Sequence, residues 1–301
     1  MLPFVYLTGK ILESEREIME KALKKWFPVF VLPTLAAFCV GFIWPFIQGV
    51  YLSFCQFITV DNAKFAGITN YVKALTDTTF KDSFFFTVSF AVVSTVLINV
   101  LAFLIALALT NEMKGTNAFR TVFFMPNLIG GIVLGYIWQI LLNCVLSNLA
   151  QPLLALNSTA GYWGIIILMC WQQIGYMMII YVAGLQNVPP ELIEAAHIDG
   201  AKPLQTLFRV KIPMLMSSVT ICLFLTITNS FKLFDQNLAL TAGEPAHATE
   251  MLALNIYNTF YSRAGAAWKG IGQAKAVIFF ILVVVISLTQ LYATRSKEVQ
   301  Q

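Results

Sequence analysis

Charged residues are scarce in this sequence. Lys, Arg, Asp and Glu together make up 11% of the 301 residues, whereas hydrophobic residues make up 58% and the mean hydropathy is +0.75. Soluble globular domains contain about 25% charged residues. This deficit excludes an ordinary soluble domain and favours a membrane protein. The net charge of +4 is therefore better interpreted through the placement of the cations than as a sign of nucleic-acid binding.

The sequence also lacks the patterns of common catalytic and metal sites. Its two histidines, His197 and His247, have no partner at metal-ligand spacing, and its five cysteines contain no CxxC pair. There is no Ser-His-Asp set, and no G-x-x-x-x-G-K-[ST] loop that would bind ATP in the Walker manner. Cations are not clustered with aromatic residues as in nucleic-acid-binding proteins. We therefore expect no enzyme, no nucleic-acid partner, and no cofactor or metal bound to this chain.

Long hydrophobic runs dominate the sequence instead. Six runs approach the ~20 residues that are needed to cross a bilayer core. The predicted spans are residues 27–54, 83–109, 122–142, 162–185, 214–233 and 276–293. The sequence thus predicts an all-α, polytopic membrane protein with six transmembrane helices and both termini on the same side.

The chain ends are more polar than the spans. Residues 1–26 combine a short first apolar run with alternating charges, which does not fit a cleaved signal peptide. They predict either an amphipathic helix on the membrane surface or a solvated tail. With the N-terminus inside, the inner segments hold more Lys and Arg than the outer ones, which favours cytoplasmic termini. The predicted domains are a cytoplasmic segment at 1–26, a transmembrane domain at 27–293 and a cytoplasmic tail at 294–301.

The most strongly patterned polar stretch lies between the fourth and fifth predicted spans, at residues 187–213. Pro190 can begin a helix without the loss of a hydrogen bond. Gly200 can end that helix in the left-handed conformation. Lys202-Pro203 can begin a second helix, which ends near Pro213. The pattern predicts two short helices joined by a turn, and the charge distribution places them in the cytoplasm.

This stretch contains Glu194-Ala195-Ala196, then Asp199-Gly200-Ala201 and finally Ile212-Pro213. The order and spacing resemble the EAA loop of ABC importer permeases. In that family the loop is the cytoplasmic coupling element, which docks into a cleft of the ATP-binding subunit. The resemblance implies an ATPase-coupling role for Glu194, Ala195, Ala196, Asp199, Gly200 and Ala201. Without the resemblance, the same residues form an amphipathic loop helix of no special role.

Further segments resemble the carbohydrate-type permeases of this family. They are the F-x-G-x-x-N-Y segment at 65–71, the entry to the third span at 119–138 and the outer loop at 240–245. Glu244 replaces a glycine of the family pattern, which puts the usual turn there in doubt. Lys275 also departs from the pattern, because the family prefers small residues at that position. The resemblance extends over residues 27–291.

Polar side chains within the spans usually face the bundle interior or a water-filled path. By resemblance to the maltose-type permease, the positions that match its sugar contacts are Asn127, Gln173, Tyr176, Thr226 and Ser230. Leu233 occupies another matched position but is apolar, so the two sets of substrate contacts differ. Amide and hydroxyl groups suit a neutral, hydroxyl-rich solute, although the same groups can also join helices to one another. The candidate substrate-binding residues are Asn127, Gln172, Gln173, Tyr176, Thr226, Asn229 and Ser230.

Together these features predict an inner-membrane permease subunit of an ATP-driven, binding-protein-dependent importer for a sugar or oligosaccharide. The resemblance implies a second homologous permease, two subunits that bind ATP and Mg, and an extracellular or periplasmic solute-binding protein, all within or at the lipid bilayer. A competing hypothesis is a secondary transporter or channel without an ATPase, although the span centres hold almost no Asp, Glu or His. The remaining hypotheses are an assembly protein without a transport path and an importer for a non-sugar solute such as glycerol phosphate.

Overall fold

A computed structural model describes residues 24, 26–110 and 115–295. The predicted segment at 1–26 and the predicted tail at 294–301 lie almost entirely outside the described residues. The chain divides into two units, Met1–Leu52 and Ser53–Gln301. The described residues 26–52 of the first unit form a single long helix, α1 (Trp26–Ser53), whose last residue falls in the second unit. This helix matches the first predicted span. Its middle turn, Cys39–Ile43, is π-helical.

The second unit is built almost entirely of helices. They are α2 (Thr69–Thr76), α3 (Thr78–Leu109), α4 (Thr116–Phe124), α5 (Gly131–Asn148), α6 (Ser158–Gln186), α7 (Pro190–Ile198), α8 (Pro203–Met214), α9 (Met216–Phe231), α10 (Asp235–Leu240), α11 (Leu252–Tyr257) and α12 (Ala266–Arg295). Short 3₁₀ turns cover Val60–Asn62, Met125–Leu128 and Leu154–Leu156, and a π-helical turn, Asn258–Ser262, follows α11. The strands β1 (Cys55–Gln56) and β2 (Lys64–Phe65) form one antiparallel pair, with Cys55 opposite Phe65.

The predicted number of membrane spans is consistent with these helices. Among the described residues, five helices are long and apolar enough to cross a membrane: α1, α3, α5, α6 and α12. The sixth predicted span corresponds to α8 and α9, which meet at a bend of 70°. The expected all-α, six-helix architecture is therefore confirmed.

The third span begins later than the sequence predicts. Instead of one helix from residue 122, the chain forms α4, a 3₁₀ turn at Met125–Leu128, and then α5 from Gly131. Pro126 lies in the 3₁₀ turn, where its missing N–H prevents continuous α-helical hydrogen bonding. Gly130 is extended, with ψ 137°, and precedes α5. The apolar run is continuous in sequence, but its backbone is broken at this proline and glycine.

The F-x-G-x-x-N-Y segment has a structural role in the second unit. Asn70 is fully buried, and its Nδ2 donates to the carbonyl oxygens of Ser53 and Cys55, both at 2.9 Å. The Tyr71 hydroxyl lies 2.6 Å from Ser53 Oγ. Gly67 takes φ +59°, a conformation that glycine adopts without steric cost. The motif thus fastens α2 to the chain segment that leads into β1.

Helix α3 packs on α6 and α9, and α9 packs on α12. The apolar core between them includes the fully buried Phe90, Ile98, Leu168, Met177 and Cys222. Two glycines of α6 allow backbones to approach closely. A Cβ at Gly175 would overlap the Phe123 carbonyl, and a Cβ at Gly184 would overlap the Ser218 side chain. Helix α6 is therefore held against both the α4 segment and α9, as small residues permit in membrane helices.

Candidate functional site

Two short helices join α6 to α9, as the sequence predicts. Pro190 occupies the first turn of α7, and Gly200 follows the helix with φ +75°. The helix end is closed by backbone hydrogen bonds from Gly200 N to His197 O (3.0 Å) and from Ala201 N to Ala196 O (2.9 Å). Helix α8 then begins at Pro203. We call residues 190–214 the connecting segment.

One face of the connecting segment is both exposed and apolar. Ile198 is 86% exposed, and Leu204 and Phe208 are also largely exposed. The candidate coupling residues Glu194, Ala195, Asp199 and Gly200 are exposed as well, whereas Ala196 and Ala201 are half-buried. Large exposed apolar side chains of this kind are typical of an interaction surface.

A polar cavity lies at the opposite end of α9. It has a volume of about 280 Å³ and is bounded by α6, α9 and α10. We call it the amide cavity, because three of its lining side chains are amides. The lining residues are Met169, Gln173, Asn229, Lys232, Leu233, Phe234, Asp235 and Gln236. Amides offer both donors and acceptors, so the cavity can hydrogen-bond a solute that carries hydroxyl groups.

Hydrogen bonds between amides fix the walls of this cavity. Gln236 Nε2 donates to Gln172 Oε1 at 2.7 Å, and Gln172 Nε2 donates to the Ile129 carbonyl at 3.3 Å. Asn229 Nδ2 donates to Gln173 Oε1 at 3.4 Å. Gln172 and Gln173 are both buried in α6. The amide cavity is therefore framed by side chains from three helices that hold one another in place.

The structure separates the seven candidate substrate-binding residues into groups. Gln173 and Asn229 line the amide cavity. Gln172 does not line it but accepts a hydrogen bond from Gln236, which does. Tyr176 lies one turn further along α6, half-buried beside the Phe124 ring at 6.3 Å between centroids. Asn127 is half-buried in the 3₁₀ turn before α5. These two residues are not among those that line the cavity.

Thr226 and Ser230 form contacts with α3 instead. Both are fully buried. Asn99 Nδ2 donates to Thr226 Oγ1 at 3.0 Å, and Asn99 Oδ1 accepts from the Tyr181 hydroxyl at 2.7 Å. Ser230 Oγ lies 3.0 Å from Ser94 Oγ. These bonds join α3, α6 and α9 in the manner of polar helix contacts in membranes.

Sequence reasoning did not identify the contribution of α10 to the amide cavity. Gly135 of α5 permits α10 to approach, since a Cβ there would overlap the Ala239 side chain. This packing carries Phe234, Asp235 and Gln236 back over the end of α9. The available signal was the polar pair Asp235-Gln236, which follows the fifth predicted span after Phe234.

Lys275 is the most unusual charged residue in the second unit. It is 0% exposed, and its Nζ lies 2.8 Å from each of Asp77 Oδ2, Asn255 Oδ1 and Thr259 Oγ1. Burial raises the pKa of the Asp77 carboxyl, but the hydrogen bonds from Lys275 and Thr79 outweigh burial and leave that pKa below its ordinary value. Lys275 thus connects α12 to the start of α3 and to α11.

Glu244, the other departure from the family pattern, is accommodated in a turn. Its carboxylate accepts a hydrogen bond from Ala246 N at 2.9 Å, and its carbonyl accepts one from Thr249 Oγ1 at 2.6 Å. Gly243 precedes it with φ +86°. The side chain is exposed, so the charge remains accessible to solvent. The turn forms although glycine is absent at position 244.

Metal binding receives no support from the described part of the chain. Within residues 24, 26–110 and 115–295, no three His, Cys, Asp or Glu side chains come together to hold a metal ion. The candidate sites described above are the amide cavity and the exposed connecting segment.

Comparison with known proteins shows the family of this chain. Residues 100–298 match the family described as "Binding-protein-dependent transport system inner membrane component". The chain is 41% identical to the probable starch degradation products transport system permease protein AmyD of Thermoanaerobacterium thermosulfurigenes, over 91% of this chain and 96% of the relative. It is 31% identical to the multiple sugar-binding transport system permease protein MsmF of Streptococcus mutans, over 93% and 99% of the two chains.

A solved structure shares the same fold. It is the crystal structure of a bacterial ABC transporter involved in the import of the acidic polysaccharide alginate. The match has a TM-score of 0.77 at 19% identity and covers 92% of this chain and 98% of the other. This likeness shows that the two chains share their fold. The chain therefore belongs to the binding-protein-dependent transport system inner membrane components, as a multi-pass permease subunit of an ABC importer.

Proposed function

We propose that this chain is one of two homologous permease subunits in an importer that carries a neutral sugar. Two ATP-binding subunits dock on the connecting segment, and an external solute-binding protein delivers the sugar. Both termini and the connecting segment lie in the cytoplasm. The ATP-binding subunits supply ATP and Mg, and this chain supplies the path and the coupling surface.

The observation that carries this proposal is the placement of the two sites on the same pair of helices. The connecting segment follows α6 and leads into α9, whereas the amide cavity takes Gln173 from the middle of α6 and Asn229 from the far end of α9. A displacement of the segment therefore acts directly on the helices that shape the cavity. ATP shifts such a transporter between two states by stabilising one of them more than the other.

The charges at the amide cavity favour a neutral solute. Lys232 and Asp235 both line it, so one cation is matched by one anion. A site for glycerol phosphate would present an excess of positive charge or paired Arg donors to the phosphate. The rest of the lining consists of three amides, one aromatic ring, Met169 and Leu233, which suits the hydroxyl groups and apolar faces of a sugar. The names of the relatives AmyD and MsmF, which refer to starch products and sugars, support the same substrate class.

Within this proposal, the seven candidate residues have different roles. Gln173 and Asn229 contact the sugar directly, and Gln172 positions Gln236 beside them. Tyr176 and Asn127 contribute further along the path. Thr226 and Ser230 act through their hydrogen bonds to α3, which set the position of α9.

The orientation rests on the distribution of Lys and Arg. The connecting segment carries Lys202, Arg209 and Lys211, which suits the cytoplasmic side of the membrane. The exposed apolar side chains of the connecting segment then face the cytoplasm, where ATP is available.

Affinity purification in mild detergent tests the proposal. The tagged chain, isolated from its native membrane, is expected to retain a second six-span protein and an ATP-binding protein. The purified complex, reconstituted in vesicles with its solute-binding protein, is expected to take up sugar only when ATP is supplied. Recovery of the chain alone, or uptake that does not need ATP, would overturn the proposal in favour of a secondary transporter.

A further inference from the structure

A second cavity adjoins the amide cavity and differs from it in composition. It has a volume of about 380 Å³, within the range of small-molecule sites. We call it the aromatic cavity, since its walls include Phe234, Tyr257, Phe260 and Tyr261. Phe234 lines both cavities, so they lie on either side of one residue.

The rings of the aromatic cavity form a connected series. Ring centroids lie 5.2 Å apart for Phe234 and Tyr257, 4.9 Å for Tyr257 and Tyr261, and 4.8 Å for Phe260 and Tyr261. Tyr261 is 67% exposed and Tyr257 is 40% exposed. Aromatic side chains of this size are usually buried against apolar groups. Here their faces and hydroxyl groups remain available to a ligand.

Buried polar contacts fix the backbone segment that carries these rings. Lys275 fixes Asn255 and Thr259, which flank Tyr257 in the chain. Glu250, 1% exposed, accepts hydrogen bonds from Asn255 and Asn258. The rings of Phe260 and Tyr261 lie on the π-helical turn, a feature that is frequent at functional sites. The aromatic surface is therefore ordered before any ligand arrives, which lowers the entropy cost of binding.

Close packing and a cation complete this arrangement. A Cβ at Gly272 would lie 2.9 Å from Phe260 Cβ, so glycine allows α12 to approach the π-helical turn. Lys269 Nζ lies 4.7 Å from the centre of the Phe260 ring. Gln273 adds an amide to the cavity wall. No carboxylate is among the lining residues of this described cavity, so it suits an uncharged ligand.

We propose that the aromatic cavity is a second sugar subsite, which holds a further unit of an oligosaccharide while another unit occupies the amide cavity. This inference rests on the proposed function and specifies its substrate class as an oligosaccharide. The C–H bonds on one face of a pyranose ring stack on aromatic rings, and the tyrosine hydroxyls and Gln273 bond its hydroxyl groups. Phe234 lies between the two units. A sugar with a single unit fills the amide cavity alone.

The test uses the reconstituted complex and a series of α-1,4-linked glucose oligomers up to maltohexaose. Variants are Tyr257→Ala, Tyr261→Ala and Tyr261→Phe, and Tyr292→Ala is the matched control because Tyr292 is an exposed tyrosine near the other end of α12. The reference is glucose, whose single unit occupies the amide cavity alone, measured by its uptake or by its competition with maltohexaose uptake. Each Tyr→Ala change at the subsite is expected to lower uptake of longer oligomers, relative to this reference, by about two- to tenfold. Tyr261→Phe keeps the ring and loses the hydroxyl, so it is expected to lower the ratio less than Tyr261→Ala does. Tyr292→Ala is expected to leave the ratio unchanged.

The outcomes separate this inference from the proposed function. An equal loss for all lengths, or no loss, would overturn the second subsite. Loss of the second permease from purified Tyr257→Ala or Tyr261→Ala complexes would also overturn it, and would assign the rings to a subunit interface. If the unaltered complex imports none of these sugars while it still needs ATP for another solute, the sugar assignment fails, and the second subsite fails with it.

Discussion

Lys275 Nζ lies 2.8 Å from Asp77 Oδ2, although the two residues are 198 positions apart in the chain. The lysine is completely buried, and the Asp77 side chain is 14% exposed. Such a pair is costly to break, since removal of one partner leaves a buried charge without compensation. It connects the N-terminus of α3 to α12 and, through Asn255 and Thr259, to the residues that carry the aromatic cavity.

Substitution Lys275→Met is expected to destabilise the protein by about 3–5 kcal/mol, because Asp77 loses its main partner. Thermal unfolding in detergent, followed by fluorescence, would measure this loss. Lys73→Met is the control, since Lys73 is exposed and its change is expected to stay within about 0.5 kcal/mol. The double variant Lys275→Met with Asp77→Asn is expected to be more stable than Lys275→Met alone. Equal stability of the two would show that the ion pair does not couple these residues.

The acid stability of the protein should depend on Asp77. Because its pKa is lower in the folded than in the unfolded protein, the carboxylate stabilises the fold above the unfolded value of about 3.9 and loses this effect as the pH falls through the folded value. Lys275 and Arg263, whose Nη1 lies 3.8 Å from Asp77 Oδ2, are the cations that face it. The difference in unfolding temperature between the unaltered protein and Asp77→Asn should therefore be constant from pH 7 to pH 5 and shrink below pH 4. A difference that grows in acid would contradict this assignment.

The connecting segment should be required for coupling but not for insertion. Glu194→Arg reverses an exposed charge, and Gly200→Pro is incompatible with φ +75°. Both are expected to lower ATP-dependent uptake by about tenfold or more while the chain remains in the membrane. Asn148→Arg, an exposed change at the end of α5, is the control and should leave uptake unchanged. Normal uptake by Glu194→Arg and Gly200→Pro would remove the coupling assignment.

The amide cavity should determine the affinity for substrate. Gln173→Ala and Gln236→Ala each remove hydrogen-bonding groups at the cavity, so each is expected to raise the KM for sugar by about two- to tenfold. The double variant Gln173→Ala with Tyr176→Ala is expected to weaken uptake further without releasing the ATP-binding subunits. Gln290→Ala changes a glutamine of α12 that is bonded to Thr220 O, and it serves as the control. An unchanged KM would contradict a role in substrate binding and would show that these residues act in helix packing.

The orientation can be measured by cysteine labelling. His197 lies in the connecting segment, and Gln151 lies between α5 and α6, at the opposite end of α6; both are exposed. With Cys144 replaced by Ala, an impermeant maleimide should label Gln151→Cys in intact cells and should label His197→Cys only after the membrane is opened. The reverse pattern would place the termini outside.

The sequence was sufficient for features that depend on local chemistry. Apolar runs located the spans, and Pro190, Gly200 and Pro203 located the turn between α7 and α8. These signals act within a few residues, since proline removes a donor and glycine takes positive φ. The third span shows the limit of this reasoning, because Pro126 lies inside an apolar run that remains long enough to cross the membrane without it.

The arrangement inside the site could not be predicted from the sequence, because it depends on contacts between residues that are distant in the chain. Gln172 meets Gln236, and Lys275 meets Asp77, only after α10 and α12 have packed. Polar residues within spans indicated that a site or a helix contact existed, but not which of the two each residue forms. Asn229 lines the cavity, whereas Ser230, the next residue, is bonded to α3. Successive residues of a helix differ in direction by about 100°. Only the packing of the helices decides which of them faces the cavity and which faces another helix.

The 70° bend at Leu215 changes how α9 can be moved. Because α8 and α9 meet at this angle, a force directed along α8 acts mainly perpendicular to the axis of α9. Leu215 is buried and bonded to Lys211 O and Ile212 O, both at 3.0 Å, so the corner itself is firm. We therefore expect a thrust on α8 to rotate α9 about this corner. The largest displacement is then expected at the far end of α9, where Asn229 and Lys232 border the amide cavity.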